Sequence, residues 1–310
     1  MKHKNRVNIY SFYCFLNLKK KENLKKKLEE LTSNKILKGT ILLADEGING
    51  SIAGSRMDLD LIIKFLKKSL NIKSLNLKIN FSDFIPFTKM RIRLKNEIVT
   101  LGKGDVSINK NTAKTISPKD WDSLIVDNEI FVLDVRNDFE VAIGSFHNAI
   151  NLKTLSFRDF PSQFKKLRIN KNSKIAMFCT GGIRCEKASA YLKTKGYNDI
   201  NQLKGGILNY LDYKKISNEK SLWNGECFVF DNRVTINNNL SPGTYEQCHG
   251  CRRPLTKFEI KSKNYIKGVH CPHCVNKRSK DQIQRSYVRQ KQIDNSEKKA
   301  ENHPFKKIYL

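Results

Sequence analysis

Two groups of cysteines in this 310-residue chain have spacings suited to two different chemistries. The first centres on Cys179, in the run Met177-Phe178-Cys179-Thr180-Gly181-Gly182-Ile183-Arg184-Cys185. An apolar stretch ends at the cysteine and a glycine pair follows, so a strand can pass into a tight loop and then a helix. Such a loop, Thr180 to Arg184, aims several backbone N–H groups at one point, while the helix N-terminus adds positive potential. Gly181 and Gly182 admit the positive φ that this cradle requires. Arg184 brings a planar cationic fork to it. Free cysteine titrates near about 8.5, falling to roughly 3.5–7.5 at helix N-termini or beside arginine. Cys179 is the candidate catalytic nucleophile.

Two reaction classes use a thiolate held this way. Rhodanese-type loops begin with cysteine and take up sulfur as a persulfide, whereas cysteine phosphatases grip phosphate with Cys-x5-Arg. Only four residues (Thr180, Gly181, Gly182, Ile183) separate Cys179 from Arg184, and the shorter ring favours sulfur. An inert cysteine at a strand end is the plainer reading, but it does not call for Gly-Gly and Arg in this frame. Cys185 has two readings. It can resolve a persulfide or sulfenic acid on Cys179, or it can be a small residue packing inward, which is slightly favoured. Asp134 and Arg136 read as a structural ion pair, and Glu140 and His147 as makers of local hydrogen bonds.

The second group is Cys248-His249-Gly250-Cys251 and Cys271-Pro272-His273-Cys274, two Cys-x2-Cys turns separated by nineteen residues. Four thiolates at this spacing suit tetrahedral Zn2+ in a closed, structural site. Redox-active pairs or a disulfide cross-link are the alternatives. His249, His270 and His273 read as neighbours of the site, not ligands. The module is then a platform that presents Arg252, Arg253 and the basic tail to RNA. Eight cysteines in all, with no secretory signal, favour reduced thiols. Basic and partly apolar, residues 1–18 faintly suggest a leader. Asn8, Ser11 and Asn17 interrupt it and no cleavage site follows, so a first strand is expected.

Several elements must position these groups. Residues 7–15 are rich in β-formers; Asn17 is a candidate cap for a helix over 19–32, with Leu24, Leu28 and Leu31 at helical spacing. Strands at 40–44 and 51–53 flank the turn Asp45 to Gly50. A helix over 57–69, with Leu61, Phe65 and Leu66 on one side, leads to a strand at 75–81. The order is that of a ferredoxin-like α+β domain, residues 1–100. From Ile85 to Gly102, apolar and basic residues alternate. This is an edge strand facing water, or a strip along RNA with Lys89, Arg91, Arg93 and Lys95 on one face. A second unit, residues 117–222, starts at Ser117-Pro118 and alternates strands (130–135, 149–152, 174–178) with helices, one over 185–195. That pattern predicts a parallel α/β sheet with the Cys179 loop at its carboxyl edge. A small Cys-rich module spans 223–276, with short strands at 226–230 and 233–236. Residues 277–310 form a basic tail, expected to be mobile or ordered by RNA.

A formal net charge of +28, from 58 Lys+Arg against 30 Asp+Glu, attracts polyanions. The same excess also fits a merely solvated basic surface, since Lys, Asn and Ile are abundant together. A membrane is disfavoured: no apolar run approaches the roughly 18 residues of a span, and no strongly amphipathic helix carries aromatic anchors.

The unbroken run Cys179-Thr180-Gly181-Gly182-Ile183-Arg184-Cys185-Glu186-Lys187-Ala188 resembles the signature of the rhodanese-domain tRNA uridine hydroxylases. Lys38 to Ala44, Glu46 to Gly50, Pro86-Phe87 with its basic run, and Asp134 to Asn137 resemble that family too, over roughly residues 7–275. The resemblance implies a cytoplasmic enzyme converting the wobble uridine of tRNA to 5-hydroxyuridine. It implies further that molecular oxygen is the co-substrate and Cys179 the persulfide-bearing residue, and it leaves the electron donor and protein partners unspecified. The residues themselves carry no flavin, haem or iron motif. Sulfur transfer to tRNA, or a sulfur-carrying adaptor, therefore stands beside hydroxylation.

Overall fold

The computed structural model describes residues 6–103, 106, 108 and 113–299. Alternating side chains form strands Val7–Phe15 (β1), Lys38–Ala44 (β2), Gly47–Gly54 (β3) and Asn76–Ser82 (β4), connected by helices Lys21–Thr32 (α1) and Arg56–Leu70 (α2). This is the ferredoxin-like plan, and Met90–Leu94 (β5) extends it as an edge strand, giving the order β4-β1-β3-β2-β5. β5 runs parallel to β2, while the other pairings are antiparallel. Tyr10, Phe12, Leu28, Ile41 and Ile62 fill the space between sheet and helices.

Two local expectations fail here. Asn17 does not cap α1, whose cap position is Lys20. The chain leaving β1 still donates from Leu16 and Leu18 to the carbonyls of Glu46 and Asp45, so the helix starts only beyond that contact. In α2 the buried stripe is Leu59, Ile62, Ile63 and Leu66, and Leu61 is exposed on its flank. That stripe follows the i, i+3, i+4, i+7 period more closely than the expected one.

The second unit comprises Lys114–Ile116 (β6), Pro118–Ile125 (α3), Ile130–Asp134 (β7), Asp138–Val141 (α4), Gly144–Phe146 (β8) and Ile150–Asn151 (β9). It continues with Phe160–Lys166 (α5), Lys174–Phe178 (β10), Ile183–Thr194 (α6), Ile200–Leu203 (β11) and Gly206–Ser217 (α7). Five strands form a parallel sheet in the order β6-β11-β10-β7-β9. Central β10 is buried from Ile175 onward because both faces are covered. Ile175 and Met177 pack with Leu133 and Leu192 on one face; Ala176 and Phe178 pack with Trp121 and Ile207 on the other. Its carboxyl end delivers Cys179. α6 starts two residues before the expected 185, because left-handed Gly182 (φ 96°) already accepts from the N–H groups of Cys185 and Glu186.

The remaining elements are short: Trp223–Gly225 (β12), Cys227–Phe228 (β13), Thr235–Ile236 (β14), Glu246–Gln247 (β15), Pro254–Leu255 (β16) and Lys257–Ile260 (α8). The strands expected at 226–230 and 233–236 shrink to a tight pair. Asp231 accepts both the Arg233 side chain and its N–H, which turns the chain between them. The basic tail is not an extended mobile segment over 280–298. It forms a helix, Lys280–Lys298 (α9), with a Ser279/Gln282 capping box. Arg289 ties it to the Gly268 carbonyl at 2.7 Å. Tail residues 300–310 lie outside the described residues. No described helix is long and apolar enough to cross a membrane.

Candidate active site and metal centre

Backbone geometry builds the Cys179 loop. Ile207 and Leu208, in the first turn of α7, donate to the carbonyls of Cys179 and Thr180 at 3.0 and 3.1 Å. With those carbonyls engaged behind the loop, its N–H groups are free to point toward the sulfur. Gly206 makes the approach possible: its φ is +64°, and a Cβ there would lie 2.3 Å from the Cys179 carbonyl oxygen. The Gly182 N–H donates to Cys179 Sγ at 3.2 Å.

Cys179 is buried, which by itself raises its pKa. A hydrogen bond from the Cys185 thiol, the Arg184 charge and the N–H groups of Cys185 and Arg184 outweigh that, bringing it down to about 6. Cys185 is also buried, and burial together with its bond to Cys179 holds its own proton on firmly. At neutral pH the pair is a thiolate accepting from a thiol. Cys185 therefore packs inward and also acts as a donor.

Arg184 differs from the expected open fork. Both its terminal nitrogens bond Glu140, at 2.8 and 2.7 Å, and one also reaches Thr180 Oγ1 at 3.5 Å. Glu140 is likewise more than a local hydrogen-bonding residue: it accepts from the Asn137 N–H and pairs with an arginine 44 positions away. Burial opposes its ionisation, but Arg184 and Arg136 hold it below the usual carboxylate range. The pairing fixes the guanidinium as a source of positive potential and leaves backbone N–H groups as the anion donors. Asp134 and Arg136 form a fully buried ion pair, as expected. Arg136 also donates to the Gly144 carbonyl and lies 5.0 Å from the Trp223 ring centroid. His147 is exposed.

The ferredoxin-like domain reaches the same loop. Tyr13 of β1 donates to Glu186 at 3.4 Å, and a Cβ on Gly182 would lie only 3.1 Å from its hydroxyl. Burial first, then Glu186 and the two loop cysteines, keep the phenol protonated. Lys187 of α6 is only 2% exposed and bonds Glu46 at 2.9 and 2.7 Å, Glu97, and the Val99 carbonyl at 3.0 Å. Neither Tyr13 nor Lys187 stood out as a site residue in the sequence. Tyr13 is one member of an alternating strand, and Lys187 is one of 58 basic residues. A lysine inside the signature run was the available signal.

Lys89, Arg91, Arg93 and Lys95 are all exposed on or beside β5. They stand along the sheet edge and do not converge on Cys179.

The four C-terminal cysteines do converge. Their sulfurs all lie within 4.8 Å of one another, with Cys248–Cys274 at 3.9 Å, Cys251–Cys271 at 3.7 Å and Cys271–Cys274 at 3.8 Å. A tetrahedral ion with Zn–S bonds of about 2.3 Å needs sulfurs about 3.8 Å apart, so the donor set fits. These residues can hold a metal ion such as zinc. None of the chain's eight cysteines is in a disulfide. His270 instead contacts the Asn264 carbonyl at 3.0 Å, and His273 pairs with Glu259.

Residues 7–98 match the family model of the UPF0176 acylphosphatase-like domain, and residues 117–212 match that of the rhodanese-like domain. Among solved structures, a rhodanese-related protein from Thermoplasma volcanium is similar at 27% identity and a TM-score of 0.28, covering 32% of this chain and 92% of that one. A rhodanese-like domain protein from Staphylococcus aureus aligns at 28% identity and a TM-score of 0.27, covering 31% of this chain and 90% of that one. A human single-domain sulfurtransferase aligns at 21% identity and a TM-score of 0.28, covering 32% of this chain and 96% of that one.

Proposed function

Because the chain, by its two matched domains, belongs to the UPF0176 tRNA uridine hydroxylase family, we propose that it is a cytoplasmic enzyme hydroxylating the wobble uridine of tRNA at C5. The observation that carries the reading is the Cys179 loop itself. It holds a buried thiolate, and Tyr13 of the other matched domain closes over it. A carrier of sulfur alone would not call for that second domain at the thiol.

The rhodanese-like domain supports sulfur chemistry at a cysteine. In such chemistry, Cys179 Sγ attacks the outer sulfur of a donor, a Cys–S–S bond forms, and the donor's sulfur bond breaks with its electron pair on the leaving anion. The Gly182 N–H and its neighbours stabilise the negative sulfur, while Cys185 keeps its proton nearby. Hydroxylation replaces the uridine C5–H by C5–OH. One atom of dioxygen enters the base and the other leaves as water, with two electrons and two protons from a reductant. The four-cysteine module would hold a structural zinc ion, which takes no part in this step. The basic edge strand, Lys89 to Lys95, would run along the RNA backbone.

The second reading is sulfur transfer, and the ionised thiol favours it equally. The test is to incubate the full-length protein and its Cys179→Ala variant with unmodified tRNA under isotope-labelled oxygen, then analyse the nucleosides by mass spectrometry. Labelled 5-hydroxyuridine from wild type and none from the variant is the expected result. Thiolated uridine in its place would establish sulfur transfer, and hydroxylation by the variant would remove Cys179 from the mechanism.

A further inference from the structure

A cavity of about 450 Å3 lies where three parts of the chain meet, within the size range of ligand sites. The ferredoxin-like domain contributes Phe87, Lys89 and Arg91; the rhodanese-like domain contributes Phe139; the Cys-rich module contributes Phe230 and Arg253. The walls are tied together, since the Asn232 N–H donates to the Pro86 carbonyl at 2.8 Å. Phe230 is 66% exposed, held edge-on by Phe228 with ring centroids 5.0 Å apart, so its ring is fixed and still reachable from solvent. Its ring centroid lies 5.9 Å from the Arg184 guanidinium, so the cavity adjoins the loop that begins at Cys179. Lys89, Arg91 and Arg253 form no ion pair among the described residues; the acid on this wall, Asp231, is held by Arg233.

We propose that this cavity binds an unstacked nucleotide of single-stranded RNA, next to the uridine presented to Cys179. The inference rests on the RNA substrate proposed above. Aromatic faces beside uncompensated cations are what a splayed nucleotide needs: the base stacks on a ring, and the phosphate meets Lys or Arg. A duplex keeps its bases stacked and offers no free face to Phe230. An acidic peptide would satisfy the cations and leave the aromatic wall unused. Phe230, by its exposure, supplies the principal stacking face, with Phe87 on the opposite strip. Arg91 and Lys89 then hold phosphates along the edge of β5.

The test uses the full-length protein as purified, with a short fluorescent oligouridylate followed by anisotropy at several salt concentrations. Stacking contributes roughly 1–3 kcal/mol per base, so Phe230→Ala is expected to weaken binding about tenfold, while Phe230→Tyr binds like wild type. Arg91→Ala should lower the log–log salt slope by about 0.7. A photoreactive uridine in the oligonucleotide should cross-link to Phe230 or Phe87. Unchanged affinity in Phe230→Ala, cross-links confined to other segments, or displacement of the RNA by polyglutamate would each overturn the proposal. If tRNA is hydroxylated yet Phe230→Ala binds normally, the site fails while the activity stands. If Phe230-dependent binding persists and no hydroxylation occurs, the activity fails while the site stands.

Discussion

The Cys179 loop and the four-cysteine cluster use one side chain for opposite ends. At the loop a single sulfur is negative and everything around it donates: the Gly182 N–H at 3.2 Å, the Cys185 thiol and the nearby Arg184 charge. At the cluster four sulfurs face one another, with Leu255, Ile260 and Tyr265 packed around them. Four thiolates that close repel, and a cation reconciles them. Hydrogen bonds stabilise a thiolate while leaving a lone pair able to attack; metal bonds use that lone pair. What separates a reactive cysteine from a structural one here is the neutralising group, since Cys179 and three of the four cluster cysteines, Cys248, Cys271 and Cys274, are equally buried.

The largest effects should therefore dissociate cleanly. Cys179→Ser is expected to abolish uridine modification while metal content and the protease resistance of the Cys-rich module stay as in wild type. Cys271→Ser, or a strong chelator, should melt the Cys-rich module, because structural zinc supplies roughly 10–16 kcal/mol of apparent binding energy in comparable small sites. Elemental analysis, limited proteolysis and the rate of Cys179 alkylation read the two variants in parallel. An intact, protease-resistant module in metal-free Cys271→Ser would show that packing alone suffices there.

Both cysteine groups were legible in the sequence because each is local. Gly-Gly and Arg follow Cys179 within five residues, and each Cys-x2-Cys turn is complete in four. The ferredoxin-like order and the parallel sheet were legible too, since alternation and helical periodicity are short-range signals. What could not be read are contacts between residues far apart in the chain, within a domain or between two. Glu140 neutralises an arginine 44 positions away, and Lys187 bonds Glu46 across 141 positions. No local pattern marks either pair. The helix at Lys280–Lys298 is a different case: its capping box, Ser279 to Gln282, was visible, but so polar a segment offered no apolar stripe to support it.

Next in size is the buried lysine that joins the reactive loop to its neighbouring domain, a feature without counterpart at the metal cluster. Lys187→Met leaves Glu46 and Glu97 without their shared cation. Breaking a buried pair from one side costs about 3–5 kcal/mol, a large part of a domain's net stability. Urea denaturation should show that loss, and Cys248–Cys274 metal binding should not change. The triple variant in which Glu46 and Glu97 also become Gln should recover part of it. Equal loss in both would mean that Lys187 acts through its packed stem.

A smaller effect tests the donors around Cys179. Its alkylation rate in wild type should rise with pH through a midpoint near about 6, tracking the thiolate. Cys185→Ala removes one donor, so the midpoint should move up toward the ordinary thiol value of about 8.5, and Cys185→Ser should move it less. The stability consequence follows in sign. A group whose folded pKa lies below its unfolded value stabilises the fold once ionised, so the contribution of Cys179 is complete above about 8.5 and is lost as pH falls through about 6. A midpoint unmoved in Cys185→Ala would assign the shift to Arg184 and the backbone alone.

The smallest effect separates the hydroxyl of Tyr13 from its ring. Its hydrogen bond to Glu186 is long, 3.4 Å, and a bond of that kind contributes at most about 0.5–1.5 kcal/mol. The Tyr13 side chain lies against Gly182, whose N–H holds the Cys179 sulfur, with the hydroxyl as its nearest atom and the ring behind it as bulk on this side of the loop. Tyr13→Phe should then change turnover by no more than a few-fold, while Tyr13→Ala should open the loop and speed alkylation of Cys179 by a bulky reagent. Neither should alter the four-cysteine cluster, which has its own packing from Ile260 and Tyr265. If Tyr13→Phe lowers turnover as far as Tyr13→Ala while alkylation stays slow, the phenol proton itself takes part in the reaction, and the ferredoxin-like domain supplies chemistry as well as cover.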